Sequence, residues 1–162
     1  MIILSRQIKK FFIIISAILP ILYGMQHTLT YASVPSGVTS YYLNENVCVP
    51  QQKTNWCWAA CAENACIIEN HHSYNQYYAV QMLKGTVDNP YPNVWGSIQD
   101  AANAVGVISS GYLTYTYGPD LSFSYIADKV YNSHPVIAAM FPIYSFMGEV
   151  HAVLIIGWEN SS

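Results

Sequence analysis

The hydrophobic pattern changes its grammar along the chain. From Trp56 to Glu69 (WCWAACAENACIIE) an Ala-rich run proceeds without Gly or Pro, which predicts a helix. Apolar residues occupy most of its circumference, with Glu63 and Asn64 the main exceptions, so this helix is expected to be central and buried. Thr54 or Asn55 can cap its start. A second helix is predicted over Asn75–Lys84 with Gly85 as its stop, and Pro90 and Pro92 mark Thr86–Asn93 as a loop. Trp95, Ile98, Ala102 and Val105 then recur at intervals of 3, 4 and 3, an amphipathic helix expected to end at Gly106. Beyond this point Tyr112–Tyr117 (YLTYTY) predicts a strand, and Phe123, Ile126 and Val130 predict one more short helix. Pro135–Tyr144 (PVIAAMFPIY) and His151–Trp158 (HAVLIIGW) are β-rich apolar runs separated by a turn at Ser145–Gly148. Ser33–Pro50 reads as an extended lead-in broken by Pro35, Gly37 and Pro50. Helices first and strands later predict an α+β fold, with a groove between the two halves as the natural ligand site.

The N-terminus has a grammar of its own. Arg6, Lys9 and Lys10 precede the apolar run Phe11–Met25, and Thr30-Tyr31-Ala32 offers small residues at the −3 and −1 positions of a cleavage site. These are the parts of a secretory signal peptide over residues 1–32, leaving residues 33–162 as one domain. A retained membrane anchor is the rival. Spanning the hydrocarbon takes roughly 20 apolar residues, and this run is shorter and carries Pro20. Export is therefore expected, with a secreted product and no stable membrane association after cleavage.

Composition and charge narrow the function classes. Hydrophobic residues make up 52% of the chain and charged residues 9%, too apolar for disorder. Beyond residue 32, three lysines stand against all nine carboxylates, a net charge of −6. Without a basic stripe such a chain is a poor nucleic-acid binder. Export would allow disulfides to persist; with four cysteines and one reserved for chemistry, Cys48, Cys61 and Cys66 could form one at most.

The reserved cysteine is Cys57. It falls in the first turn of the central helix, where open N–H groups and the helix dipole favour a thiolate, and Trp56 and Trp58 flank it as bulky walls. His151 opens a strongly apolar strand, a rigid place for a base that must approach a nucleophile on another element. His71 and His72 follow the central helix and most simply cap its last carbonyls, and His134 precedes Pro135 in a turn with no strand to hold it. Gln51-Gln52 lie just before the helix, where a side-chain amide beside the Cys57 N–H would supply two donors to an oxyanion.

Together the run Gln51-Gln52-Lys53-Thr54-Asn55-Trp56-Cys57-Trp58-Ala59-Ala60 resembles the active-site segment of compact bacterial papain-like cysteine peptidases. That group includes plant-pathogen effector proteases and relatives of the bacteriocin-processing peptidases. Gly148-Glu149-Val150-His151-Ala152-Val153 with Gly157-Trp158 resembles their histidine strand. The resemblance covers roughly Val47–Trp158, and only its two ends are specific. It implies a papain-like fold, an N-terminal helical lobe with a buried central helix followed by an antiparallel β lobe. It also implies Cys57 as nucleophile, His151 as base and Gln51 in the oxyanion hole, with Gln52 the alternative. The substrate would be a peptide or protein, with no metal or organic cofactor. Plant and lysosomal members carry a disulfide cysteine three residues before the nucleophile, where this chain has Thr54. There is no room for a long inhibitory propeptide between Ala32 and the core.

Three other readings compete. Cys57 and Cys61 share a helix face and could join His71 or His72 around zinc, but no second close-spaced ligand pair accompanies them. A peptidoglycan-cleaving Cys-His amidase or endopeptidase usually has Asp before the cysteine, where Trp56 stands. The third is a papain-like shell that binds peptides without turnover. It draws on the orienting Asn or Asp that the resemblance calls for on the strand returning beside the histidine strand. Asn160 would lie about 30 Å from His151 if the strand ran straight. An antiparallel return would reach His151 only beyond Ser162. The sequence alone thus leads to the expectation of a C-terminally truncated domain, with an exposed sheet edge and weak or absent turnover.

Overall fold

The computed structural model describes residues 33–44, 48–115, 122–140 and 151–159. Every described residue belongs to one compact unit, Tyr31–Ser162. The expected signal segment, the turn at Ser145–Gly148 and Asn160 lie outside the described residues. The described part is a mixed α+β structure of four helices and two small antiparallel sheets. In chain order these are β1 (Ser40–Tyr42), α1 (Cys57–Ile68), α2 (Gln76–Lys84), α3 (Ile98–Ile108), α4 (Phe123–Tyr131), β2 (Val136–Met140), β3 (His151–Ile155) and β4 (Gly157–Glu159).

Helix α1 is the centre, as its apolar circumference requires. Its first seven residues, Cys57–Glu63, are all buried, and α2, α3 and β3 pack around it. Small residues at the crossing, Ala59 and Ala62 on α1 with Ala101 and Ala104 on α3, belong to one buried cluster with Trp56, Trp58 and Ile108. Alanines at such a crossing let two helix axes approach closely. A second cluster gathers Leu43, Ala127, Val130 and Trp158, with Val136 and Ile155 of the β2–β3 sheet packed against it. Alternation along the strands explains how one thin sheet serves both. Ile137 and Ala152 face the helical cluster, whereas Val136 and Ile155 face the other.

Several expectations need correcting. Helix α3 runs through Gly106 to Ile108. Ser110 takes the left-handed conformation after it at φ 57°, and the Gly111 N–H closes back on the Gly106 carbonyl at 2.7 Å. Asn70 after α1 and Ser133 after α4 do the same, at φ 58° and 68°. These helices therefore stop on Asn or Ser, the less common choices for that position, which leaves no glycine signal to read. Burial of Ile108 outweighs the cost of about 1 kcal/mol for a glycine inside a helix. The expected strand over Tyr112–Tyr117 is absent from its described part, residues 112–115. There the Tyr115 hydroxyl has two acceptors for its one proton, the Pro135 carbonyl at 3.0 Å and Glu69 Oε1 at 3.2 Å. The lead-in is not merely extended, since β1 pairs with β4 in the register Ser40–Glu159, Tyr41–Trp158 and Tyr42–Gly157. The strand expected to run unbroken from His151 to Trp158 is interrupted at Ile156, so β3 and β4 serve different sheets.

Candidate active site around Cys57 and His151

Cys57 is the first residue of α1, and the helix begins without a side-chain cap or an acidic residue in its first turn. Thr54 and Asn55, expected to cap it, are drawn elsewhere. The Asn93 side chain donates to Thr54 Oγ1 at 3.0 Å and accepts from the Asn55 N–H at 3.1 Å, while the Asn55 amide donates to the Asn93 carbonyl at 3.0 Å. No side chain therefore competes for the positive end of the helix dipole at Cys57. The residue is buried, at 4% exposure.

The 91–96 loop grips this helix start. Trp56 Nε1 donates to the Pro92 carbonyl at 2.9 Å and Trp58 Nε1 to that of Val94 at 3.3 Å. Lys53 Nζ reaches the Tyr91 carbonyl at 2.8 Å. Gly96 lies against the Trp58 indole, where a Cβ would come within 2.3 Å of the ring. Trp58 is thus held at ring and nitrogen alike, and Trp56 at its nitrogen.

Strand β3 arrives on Cys57 from the far end of the sequence. The Ala152 N–H donates to Cys57 Sγ at 3.5 Å, a contact across 95 residues. One carbonyl carbon joins that nitrogen to the His151 Cα, which therefore lies no more than roughly 6 Å from the sulfur. Ala152 is the residue of this strand that packs on the helical cluster, and among the described residues no hydrogen bond joins the His151 ring to Cys57. The His151 side chain is exposed, at the end of β3 opposite Met140.

Gln51 sits beside this pair in sequence, but its amide is engaged within its own loop. Nε2 donates to the Lys53 carbonyl at 3.1 Å and the Thr54 carbonyl at 3.0 Å. Gln52 donates through its side chain to Pro50 O at 3.1 Å and through its N–H to Gln76 Oε1 at 3.0 Å. Glu63, expected on the polar side of α1, is buried at 3% exposure. Its carboxylate meets His72 Nε2 at 3.0 Å and Gln76 Nε2 at 2.8 Å. The His72 ring is therefore turned to a carboxylate, and the α1 carbonyl end is closed by the backbone N–H of His71 on Cys66 O at 2.8 Å. His134 Nδ1 lies 3.5 Å from Glu69 Oε1, and His71 stacks on Tyr112. None of these three competes for Cys57.

All four cysteines are free thiols. Burial, assisted by the nearby Cys57, pushes the Cys61 thiol from an ordinary 9.0 to about 12, and burial with Glu69 and Glu63 does the same to Cys66. Below pH 9 both thiols are neutral in the folded and unfolded chain alike, so they contribute no pH dependence. Between pH 9 and about 12 only the unfolded chain ionises them, and folding stability falls as pH rises. The midpoint of urea unfolding should accordingly drop from pH 8 to pH 10.5. Much of that drop should vanish in a Cys61→Ala, Cys66→Ala double variant. An equal drop in both proteins would assign it to other groups. Among the described residues no three His, Cys, Asp or Glu side chains converge as a metal site, and no helix is long and apolar enough to cross a membrane.

What the sequence does not disclose here is the support around the pair. Asn93, Gln76 and the Ala152 N–H reach their partners from 24 to 95 residues away, and no periodicity marks them. Comparison with known proteins finds no matching family model, no matching curated protein and no matching solved structure.

Proposed function

We propose that this chain is an exported cysteine peptidase of the papain-like type, with Cys57 as nucleophile, His151 as base and Gln51 as oxyanion donor. The observation that carries the reading is the 3.5 Å contact of the Ala152 N–H with Cys57 Sγ at the uncapped start of α1. It joins the two segments that were selected independently for their chemistry. An N–H aimed at the sulfur and an open helix N-terminus are surroundings suited to a nucleophilic cysteine.

In this mechanism His151 takes the Cys57 proton and the thiolate attacks a peptide carbonyl. The developing oxyanion accepts from the Cys57 N–H and from one Gln51 amide proton released from a loop carbonyl. His151 returns its proton to the leaving amine, and water then hydrolyses the thioester. Both Gln51 and Gln52 are exposed; Gln51 would exchange one of its two loop carbonyls for the oxyanion, and Gln52, held by the Pro50 carbonyl, is the alternative donor. The test is selective alkylation. Iodoacetamide near pH 6 is expected to modify Cys57 at least about tenfold faster than exposed Cys48, and to leave Cys61 and Cys66 unmodified until the chain unfolds. Equal rates at all four thiols would remove the proposed activation.

Export belongs to the same proposal and rests on the tripartite N-terminus. Protein recovered outside the cell should have the mass of a chain beginning at Ser33. Recovery from membranes alone, with Met1 retained, would make residues 1–32 an anchor.

A shell that binds peptides without turnover is the second reading. It is favoured by the Gln51 amide, which donates to two loop carbonyls in the resting structure.

A further inference from the structure

Two side-chain carboxamides take the place of a neighbouring strand for residues 49–52. Asn64 of α1 accepts from the Val49 N–H at 2.6 Å and donates to the Val49 carbonyl at 2.8 Å. Gln76, the first residue of α2, donates through Nε2 to the Pro50 carbonyl at 3.0 Å and accepts through Oε1 from the Gln52 N–H at 3.0 Å. The Pro50 carbonyl and the Gln52 N–H belong to the two peptide groups on either side of Gln51. Gripping both fixes the backbone torsions of Gln51 and so the direction in which its side chain leaves.

The grip has a defined polarity. Gln76 is buried at 1% exposure, and its amide can face only one way. Pro50 O and the Glu63 carboxylate both require the NH2 end, and the Gln52 N–H requires the oxygen. Glu63 is held in turn by His72 Nε2 on its second oxygen. A buried carboxylate with this little exposure persists because each oxygen has a partner.

We propose that Gln76, oriented by Glu63, is a positioning residue that aims the Gln51 amide at the oxyanion. This rests on the peptidase reading above. Gln76 touches neither substrate nor Cys57 and acts through the backbone on both sides of Gln51. A displaced donor costs transition-state stabilisation and leaves ground-state binding in place.

The test compares the wild type with Gln76→Met, which keeps length and apolar bulk, and with Glu63→Gln, which keeps volume and an acceptor. Gln76→Met is expected to lower kcat for peptide hydrolysis roughly 10- to 100-fold with KM within about threefold. The rate of Cys57 alkylation by iodoacetamide should stay within about threefold, because alkyl transfer passes through no oxyanion. Glu63→Gln should show the same pattern with a smaller fall. An unchanged kcat, or a parallel fall in alkylation, would overturn the assignment. Wild-type protein without turnover would remove the peptidase reading. The grip on Gln51 is then decided by hydrogen exchange at the Gln52 N–H, which should quicken at least about tenfold in Gln76→Met. Unaltered protection there would overturn the grip itself.

Discussion

Replacing Cys57 by alanine is expected to lower kcat/KM for hydrolysis of an unfolded protein substrate by at least about 10⁴-fold, with folding intact. Alanine fills the N-terminal helical position as well as cysteine does but offers no nucleophile. Cys61→Ala is the matched control. It sits on the same face one turn along, is buried, and carries a thiol that burial pushes up to about 12. Its loss should change kcat/KM by no more than about threefold and cost roughly 1 kcal/mol of stability. If the two variants lose activity together, the effect is one of packing and the nucleophile lies elsewhere. Residual hydrolysis in Cys57→Ala near the wild-type rate would end the assignment of Cys57 as nucleophile. Measuring release of peptidoglycan fragments alongside tells whether the acyl group transferred comes from a protein or from a cell wall.

The largest expected effect on folding belongs to Trp58. Its side chain is 1% exposed, packs against Gly96, and satisfies its N–H on the Val94 carbonyl. Trp58→Ala should cost about 3–5 kcal/mol, a large share of the roughly 5–15 kcal/mol that keeps a domain of this size folded. In urea the midpoint should fall with little change in slope, as it does when stability alone is altered. A shift below about 1 kcal/mol would show that the 91–96 loop relaxes into the vacated space. Gly96→Ala approaches the same contact from the other side and should destabilise through a clash between Cβ and ring, since that Cβ would lie 2.3 Å from the indole.

The helices could be read because their signals are local. Asn75 caps α2 through the Tyr78 N–H, Lys84 and Gly85 close it, and α4 follows the spacing of Phe123, Ile126 and Val130. The buried character of α1 follows from its apolar circumference. Local grammar misled where a distant partner competed. Thr54 and Asn55 are good caps in isolation, yet Asn93 takes them, and Glu63 looks solvent-facing until Gln76 and His72 close over it. The strand β1 was hidden because three residues of SYY carry almost no pattern; only pairing with β4 makes them a strand. For the site, residue types singled out Cys57 and His151 as candidates, while the contact that brings their segments together is made by the backbone N–H of Ala152, which no side-chain alphabet records.

The pairing of β1 with β4 sets an order of events during synthesis. Ser40 finds its opposite at Glu159, so the first strand of the domain must wait for the last before its sheet exists. Leu43 and Trp158 wait with it, since both belong to the cluster that this pairing helps to close. Contacts spanning this much sequence form late and slowly. A nascent chain of this design therefore cannot close the β1–β4 ladder until residues 157–159 have been made.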